Sequence, residues 1–176
     1  MFWLTFIACI PLVVLLAVMV IGRFLPRKHI VTRRGQYRAS PEALWEAMTD
    51  HREMNQWRSD ISRVLRAKGK GDLPAWQEVG RFTKRAVKVT TSRPPYRLNA
   101  EIINGVVPMR GHMRFHIKPS GGGALLTITE EAEIPSPLFR FAARYLIGLH
   151  SPLDLRLVAL GRHFRERVRP EDGEPV

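Results

Sequence analysis

The chain has 176 residues, with 28 Lys and Arg against 16 Asp and Glu, and 45% of its residues are hydrophobic. That content is too apolar for a disordered polymer, and the length suits one ordinary domain plus an appendage. Cys9 is the only cysteine, which excludes a disulfide framework, a cysteine-rich zinc module and a CxxC redox pair.

Met1 to Gly22 carries no charged side chain. A helix rises about 1.5 Å per residue, so about 20 residues cross the ~30 Å hydrocarbon core, and this run is long enough for a single-pass transmembrane anchor. Pro11 removes one helical hydrogen bond and is expected to kink it. A cleaved signal peptide fits poorly: no Lys or Arg precedes the run and no small-x-small site follows it. Arg23, Arg27, Lys28, Arg33, Arg34 and Arg38 come next, with no acid before Glu42. This flank is expected to lie against anionic headgroups. The positive-inside rule puts it, and the domain after it, on the cytoplasmic side of the inner membrane.

A second basic cluster, Arg81, Lys84, Arg85, Lys88, Arg93 and Arg97, falls between Glu78 and Glu101. Together the two clusters account for the whole net charge of +12. The second cluster has no interleaved aromatic residue before Tyr96 and no helix-turn-helix or RNP-like pattern beside it, so no nucleic-acid partner is expected. It reads as a solvated strand face.

Ser40-Pro41-Glu42 opens a helix: a serine cap, a proline at the first helical position and an acid in the first turn. Leu44, Trp45, Ala47 and Met48 recur at helical spacing until Thr49-Asp50, and a short helix is expected over His51–Trp57. From Ile61 to Ile134 the period is two. Arg85, Val87, Val89 and Thr91 alternate with Lys84, Ala86, Lys88 and Thr90; Leu98, Ala100 and Ile102 share one face. Met113, Phe115 and Ile117 alternate with His112, Arg114, His116 and Lys118. Gly121-Gly122-Gly123 is a hairpin turn, and Leu126, Ile128, Glu130 and Ala132 share a face of the next strand. Connections this short make antiparallel hairpins.

Leu138 to Leu149 is apolar nearly all round, broken by Arg140 and Arg144, so it is either buried or lies on a membrane or a ligand. Ser151-Pro152 with Asp154 signals a last helix whose apolar face is Leu153, Leu157, Leu160, Phe164 and Val168; Arg156, Arg162, Arg165 and Arg167 lie elsewhere. Residues 169–176 read as a disordered tail. The order predicts an α+β fold in which a curved antiparallel sheet wraps a long C-terminal helix.

Ser40-Pro41-Glu42, Leu44-Trp45, Thr49-Asp50, Trp57, Ile61, Val64, Phe115 to Pro119, the glycine turn, Leu126 to Glu130 and the closing helix together resemble the START-like helix-grip superfamily. Within this superfamily, also called SRPBCC, the nearest likeness is to the polyketide cyclase/dehydrase-like and lipid-transport branch. The resemblance covers residues 30–168. It divides the chain into the anchor (1–22), a basic juxtamembrane segment with the first strand (23–38), the ligand-binding domain and the tail. It implies an apolar cavity between sheet and last helix that holds a lipid or another hydrophobic molecule.

The side chains expected to line that cavity are Trp45, Met48, Trp57, Val87, Val89, Leu98, Ala100, Ile102, Met113, Phe115, Ile117, Leu126, Ile128, Leu153, Leu157, Leu160 and Phe164. Leu138–Leu149 and the last helix are expected to gate and floor it. Catalysis needs titratable groups converging there, and Glu130 is the candidate acid because it continues the inward face of Leu126 and Ile128. Asp50 is a helix-end turn residue. His112 and His116 share a face but stand about 13 Å apart, too far for one ion. The remaining histidines, His29, His51, His150 and His163, have no ligand spacing, so neither a metal nor a cofactor is expected. The residues thus suit binding of a hydrophobic ligand without catalysis. The alternatives are a cyclase, dehydratase or isomerase using Glu130, and a protein-interaction module using the basic strand face.

Overall fold

The computed structural model describes residues 2–80, 84–104 and 109–176; within these, the side chains of residues 2–9, 70 and 104 are not described. Arg81 of the second basic cluster lies outside the described residues.

Helix α1 spans Phe2–Phe24 and runs through Pro11 as one element. Among the described residues no helix is long and apolar enough to cross a membrane, so the span expected over residues 1–22 is not established by them. Ile10, Leu12, Val13, Val14, Leu15, Leu16 and Val20 are all exposed.

Strand β1 (Lys28–Tyr37) follows, then α2 (Pro41–Thr49), where Ser40 Oγ accepts the Ala43 N–H at 3.2 Å as its cap. The short α3 covers only Met54–Trp57, less than the expected helix. Strands β2 (Arg63–Lys70), β3 (Leu73–Val79), β4 (Lys84–Arg93), β5 (Arg97–Asn104), β6 (Arg110–Ser120) and β7 (Gly123–Glu133) form an antiparallel meander. Gly121 and Gly122 both have positive φ, 58° and 78°, the backbone a two-residue type I′ hairpin turn demands. Helix α4 (Pro137–Ala142) continues as a π-helical turn over Ala143–Ile147, and α5 is Ser151–His163. The cap position of α5 falls on His150, one residue before the expected serine.

The eight strands lie in one sheet, in the order β2-β3-β4-β5-β6-β7-β1-β8, whose last member is Glu171–Asp172. The segment expected to be disordered thus pairs with β1, through Arg33↔Asp172 and Arg34↔Glu171. It covers the outer face of β1 and β7, where the Thr32 and Thr129 hydroxyls share a 3.0 Å hydrogen bond and Thr129 is wholly buried.

The sheet closes on α5 through its inward residues. Tyr37 donates from its hydroxyl to the Leu157 carbonyl at 2.9 Å, and Arg33 donates to Asp154 at 2.6 Å. Arg33 also pairs with Asp172, and Arg34 with Glu171. These two arginines are therefore tied to the sheet edge and to α5, while Arg23, Arg27 and Lys28 of the first basic cluster stay beside the end of α1. The last helix stops at His163, short of Val168. Arg165 adopts φ 58°, and the Glu166 N–H returns to the Gly161 carbonyl at 2.8 Å, a Schellman closure that reverses the chain. Val168 then packs over Gly161 and Gly35, where an added Cβ would stand 2.6 and 2.8 Å from its methyl groups.

Of Leu138–Leu149, expected to gate the cavity, α4 packs on the end of α1, Tyr145–Ile147 are exposed and Leu149 packs against the core; none of them lines the cavity. Gly22 admits the Pro137 carbonyl, which an added Cβ would meet at 2.1 Å. The buried Arg140 donates to the Leu25 carbonyl at 2.6 Å and the Pro135 carbonyl at 3.4 Å, tying α4 to the carbonyl end of α1.

Candidate functional site

Two apolar clusters fill the space between sheet and helices. Tyr37, Leu44, Ile117, Leu126, Ile128, Leu153, Leu157 and Leu160 belong to the first, around α2 and α5. Met54, Ile61, Trp76, Val87, Val89, Leu98 and Ala100 make the second, under α3. Between them lies a cavity lined by Met48, Met54, Trp57, Arg58, Trp76, Glu78, Val87, Leu98, Ala100, Ile102, Met113, Phe115 and Arg156. The space open to the centre of a water molecule is about 40 Å³. At roughly 10–15 Å³ for one water this holds a few waters and not a lipid chain.

Of the side chains expected at the cavity, Met48, Trp57, Val87, Leu98, Ala100, Ile102, Met113 and Phe115 line it. Ile117, Leu126, Ile128, Leu153, Leu157 and Leu160 do not; with exposures of 0–1% they are solid core. Val89 is core under α3, and Trp45 packs against both clusters. Phe164, with Trp57, borders a separate surface groove beside Glu46, Asp50 and Glu53. Glu130 faces inward opposite Met113 and Val31, as its phase predicts, but is not among the lining residues.

The charged residues of the lining were not anticipated. Arg85 is inward, not solvated. Its Nε donates to Glu78 Oε2 at 2.5 Å, while Arg58 Nη1 donates to Glu78 Oε1 and Oε2 at 3.0 and 3.1 Å. Trp76 Nε1 adds a third donor at 3.3 Å, and Asp60 takes Arg58 Nη2 at 2.5 Å. Burial pushes the Glu78 carboxyl up, but Arg85, Arg58 and Arg156 overcome this and hold it at about 2. Asp60 is likewise lowered, burial being outweighed by the Arg58 hydrogen bond and by the charges of Arg58, Arg85 and Arg156. Arg156 is pulled down to about 9 by burial, then by Arg58 and Arg85.

The signals for this cluster were phases. Arg85 is two residues from Val87, and Glu78 two from Trp76, so each shares an inward face. Arg156 is three residues past Leu153 and four before Leu160, within the buried stripe of α5. On charge alone, the sequence sends Arg85 to a solvated face and Arg156 off the apolar face of the last helix, and it assigns Glu78 no role.

His112 and His116 alternate with inward Met113 and Ile117. Among the described residues no three His, Cys, Asp or Glu side chains converge as a metal site would require.

A curved antiparallel sheet gripping a C-terminal helix, with a cavity between them, defines a helix-grip architecture. Residues 28–154 match the family described as polyketide cyclase / dehydrase and lipid transport, and the chain belongs to it. No curated protein matches the chain in sequence. Its fold is similar to that of a START superfamily protein from Mycobacterium smegmatis (16% identity, 78% of this chain and 99% of that one, TM-score 0.57). It is similar too to a Rhodobacter sphaeroides protein (19% identity, 78% and 95% covered, TM-score 0.56). A conserved Geobacillus kaustophilus protein aligns at 14% identity over 80% of this chain and 99% of that one, TM-score 0.60.

Proposed function

We propose that this protein holds a hydrophobic ligand in the α3-side cavity, at a membrane surface, without transforming it. The observation that carries the reading is the lining itself: Val87, Leu98, Ala100, Ile102 and Phe115 form an apolar wall, joined by Met113 of β6 and by Met48 and Met54 from α2 and α3. Met48, Met54 and Met113 are unbranched and repack readily, so the small cavity can widen by rotamer changes where β-branched residues would resist. Each 100 Å² of ligand surface buried contributes roughly 2.5 kcal/mol, less the costs of association and of widening.

Membrane attachment rests on α1 and what adjoins it. Residues 1–22 are uncharged throughout and Arg23, Arg27 and Lys28 follow, a charge order that by the positive-inside rule supports a domain on the cytoplasmic side. Next to the end of α1, Leu138, Tyr145, Leu146 and Ile147 are exposed, with Arg144 among them, which suits an element lying in the headgroup region.

The test is native mass spectrometry of the full chain in phosphatidylcholine nanodiscs, titrated with membrane lipids and quinones. A bound species is expected, lost in Phe115→Asp and kept in Lys118→Ala. A chain that binds nothing at any concentration overturns the reading. That outcome would favour a second one, an interaction module with a filled interior, which the 40 Å³ volume by itself suits.

A further inference from the structure

Among the described residues, Arg156 is the charged residue of the lining whose guanidinium has no carboxylate within ion-pair distance. Its Nη1 lies 2.7 Å from Met113 Sδ, and its Cζ stands 5.8 Å from the Phe115 ring centroid. Glu78 is occupied by Arg58, Arg85 and Trp76, and Asp60 by Arg58 with Arg85 at 3.7 Å. Glu130 faces inward and its charge acts on Arg156, yet among the described residues no carboxylate comes within ion-pair distance of it. Of the three guanidiniums around this cavity, Arg58 and Arg85 are held in ion pairs by Glu78 and Asp60, while Arg156 has Glu130 acting on it only from beyond ion-pair distance. A second donor is also unspent: Trp57 Nε1 is buried with no hydrogen-bond partner among the described residues. Apolar Val87, Leu98, Ala100 and Ile102 continue the wall.

Withdrawing a guanidinium from water without an anion is costly, and a neutral or cationic ligand leaves that cost in place. An oxyanion relieves it and accepts from fixed donors, in the arrangement where charge-assisted hydrogen bonds are strongest. Resting on the ligand-binding reading above, we propose that the ligand is an amphipathic anion whose carboxylate or phosphate group is received by Arg156, with its apolar part against the β4–β6 wall. The present volume matches a head group and not a tail, so the tail enters as the methionines repack.

The experiment uses the full chain in phosphatidylcholine nanodiscs and four eight-carbon probes: octanoate, octyl phosphate, 1-octanol and octyltrimethylammonium. Affinities are read by calorimetry and by tryptophan fluorescence, since Trp57 and Trp76 line the cavity. At least one anion is expected to bind tenfold or more tighter than 1-octanol, with the cation weakest. The tighter anion tells a fatty-acid-like head from a phosphate-bearing one. Arg156→Gln and Arg156→Met should bring the anions down to the level of 1-octanol, while Lys118→Ala keeps the preference. Equal binding of anion and alcohol, strong binding of the cation, or an anion preference that survives Arg156→Gln overturns the proposal and leaves the ligand-binding reading standing. The first two outcomes need no variant, so a misfolded mutant does not spoil the test. Absence of binding by all four probes overturns both.

Discussion

Replacing Glu78 with glutamine keeps the side-chain volume and removes the charge that three arginines surround. The wild-type carboxylate accepts from Arg58 at 3.0 and 3.1 Å, Arg85 at 2.5 Å and Trp76 at 3.3 Å, and is 2% exposed. A glutamine offers one acceptor oxygen, and its NH₂ group faces guanidinium donors. Breaking a buried pair by removing one partner costs about 3–5 kcal/mol, because the other charge is left uncompensated. The titration behaviour gives a similar size: a fall from 4.5 to about 2 corresponds to roughly 3 kcal/mol. The sign follows from the direction. Because the folded value is the lower one, this stabilisation is complete above about pH 4.5 and is lost as pH falls through about 2. Differential scanning fluorimetry of the full chain in nanodiscs should show Glu78→Gln melting about 10 °C below wild type at pH 7, at roughly 2–4 °C per kcal/mol for this size. Between about pH 4.5 and 2 the two melting temperatures should converge. A variant within about 1 kcal/mol of wild type at pH 7, or one with the same acid profile, would falsify the account of Glu78 as the hub of this cluster.

Three further expectations can be checked separately. Tyr37→Phe removes the buried hydrogen bond to the Leu157 carbonyl and should cost about 1–2 kcal/mol in denaturant melts with no change in fold; a neutral result means the 2.9 Å contact does not hold α5. A Leu146→Cys, Cys9→Ala protein labelled with an environment-sensitive dye should shift to the blue on reconstitution into anionic vesicles, and a dye that stays in water removes α4 and its π turn from the membrane surface. Glu130→Gln should leave ligand affinity unchanged or tighter by removing a desolvation cost, whereas a reaction that drops by orders of magnitude in this variant would establish the enzyme reading instead.

Local signals were legible wherever a short stretch carries its own reason. Ser40 caps α2 because its hydroxyl reaches the Ala43 N–H whatever packs around it. Gly121-Gly122 turns because both residues have φ in a region that side chains disfavour. The inward sides of β4 to β7 follow from a period of two, so Val87, Leu98, Met113 and Ile128 are buried where alternation puts them. What alternation cannot say is whether an inward residue meets a cavity or another side chain. Leu126, Leu157 and Leu160 became core and Met48, Leu98 and Phe115 became wall, a division set by how far α2, α3 and α5 stand from the curved sheet. The charged cluster belongs to the same class. Arg58, Glu78, Arg85 and Arg156 come from α3's end, β3, β4 and α5, as many as 98 residues apart in the chain. Each alone favours water by its solvation energy, and only their mutual contacts, created when the elements pack, make burial tolerable. The tail shows the same rule at the surface: Glu171 and Asp172 carry no strand pattern, and order arises because Arg33 and Arg34 on β1 wait for them in register.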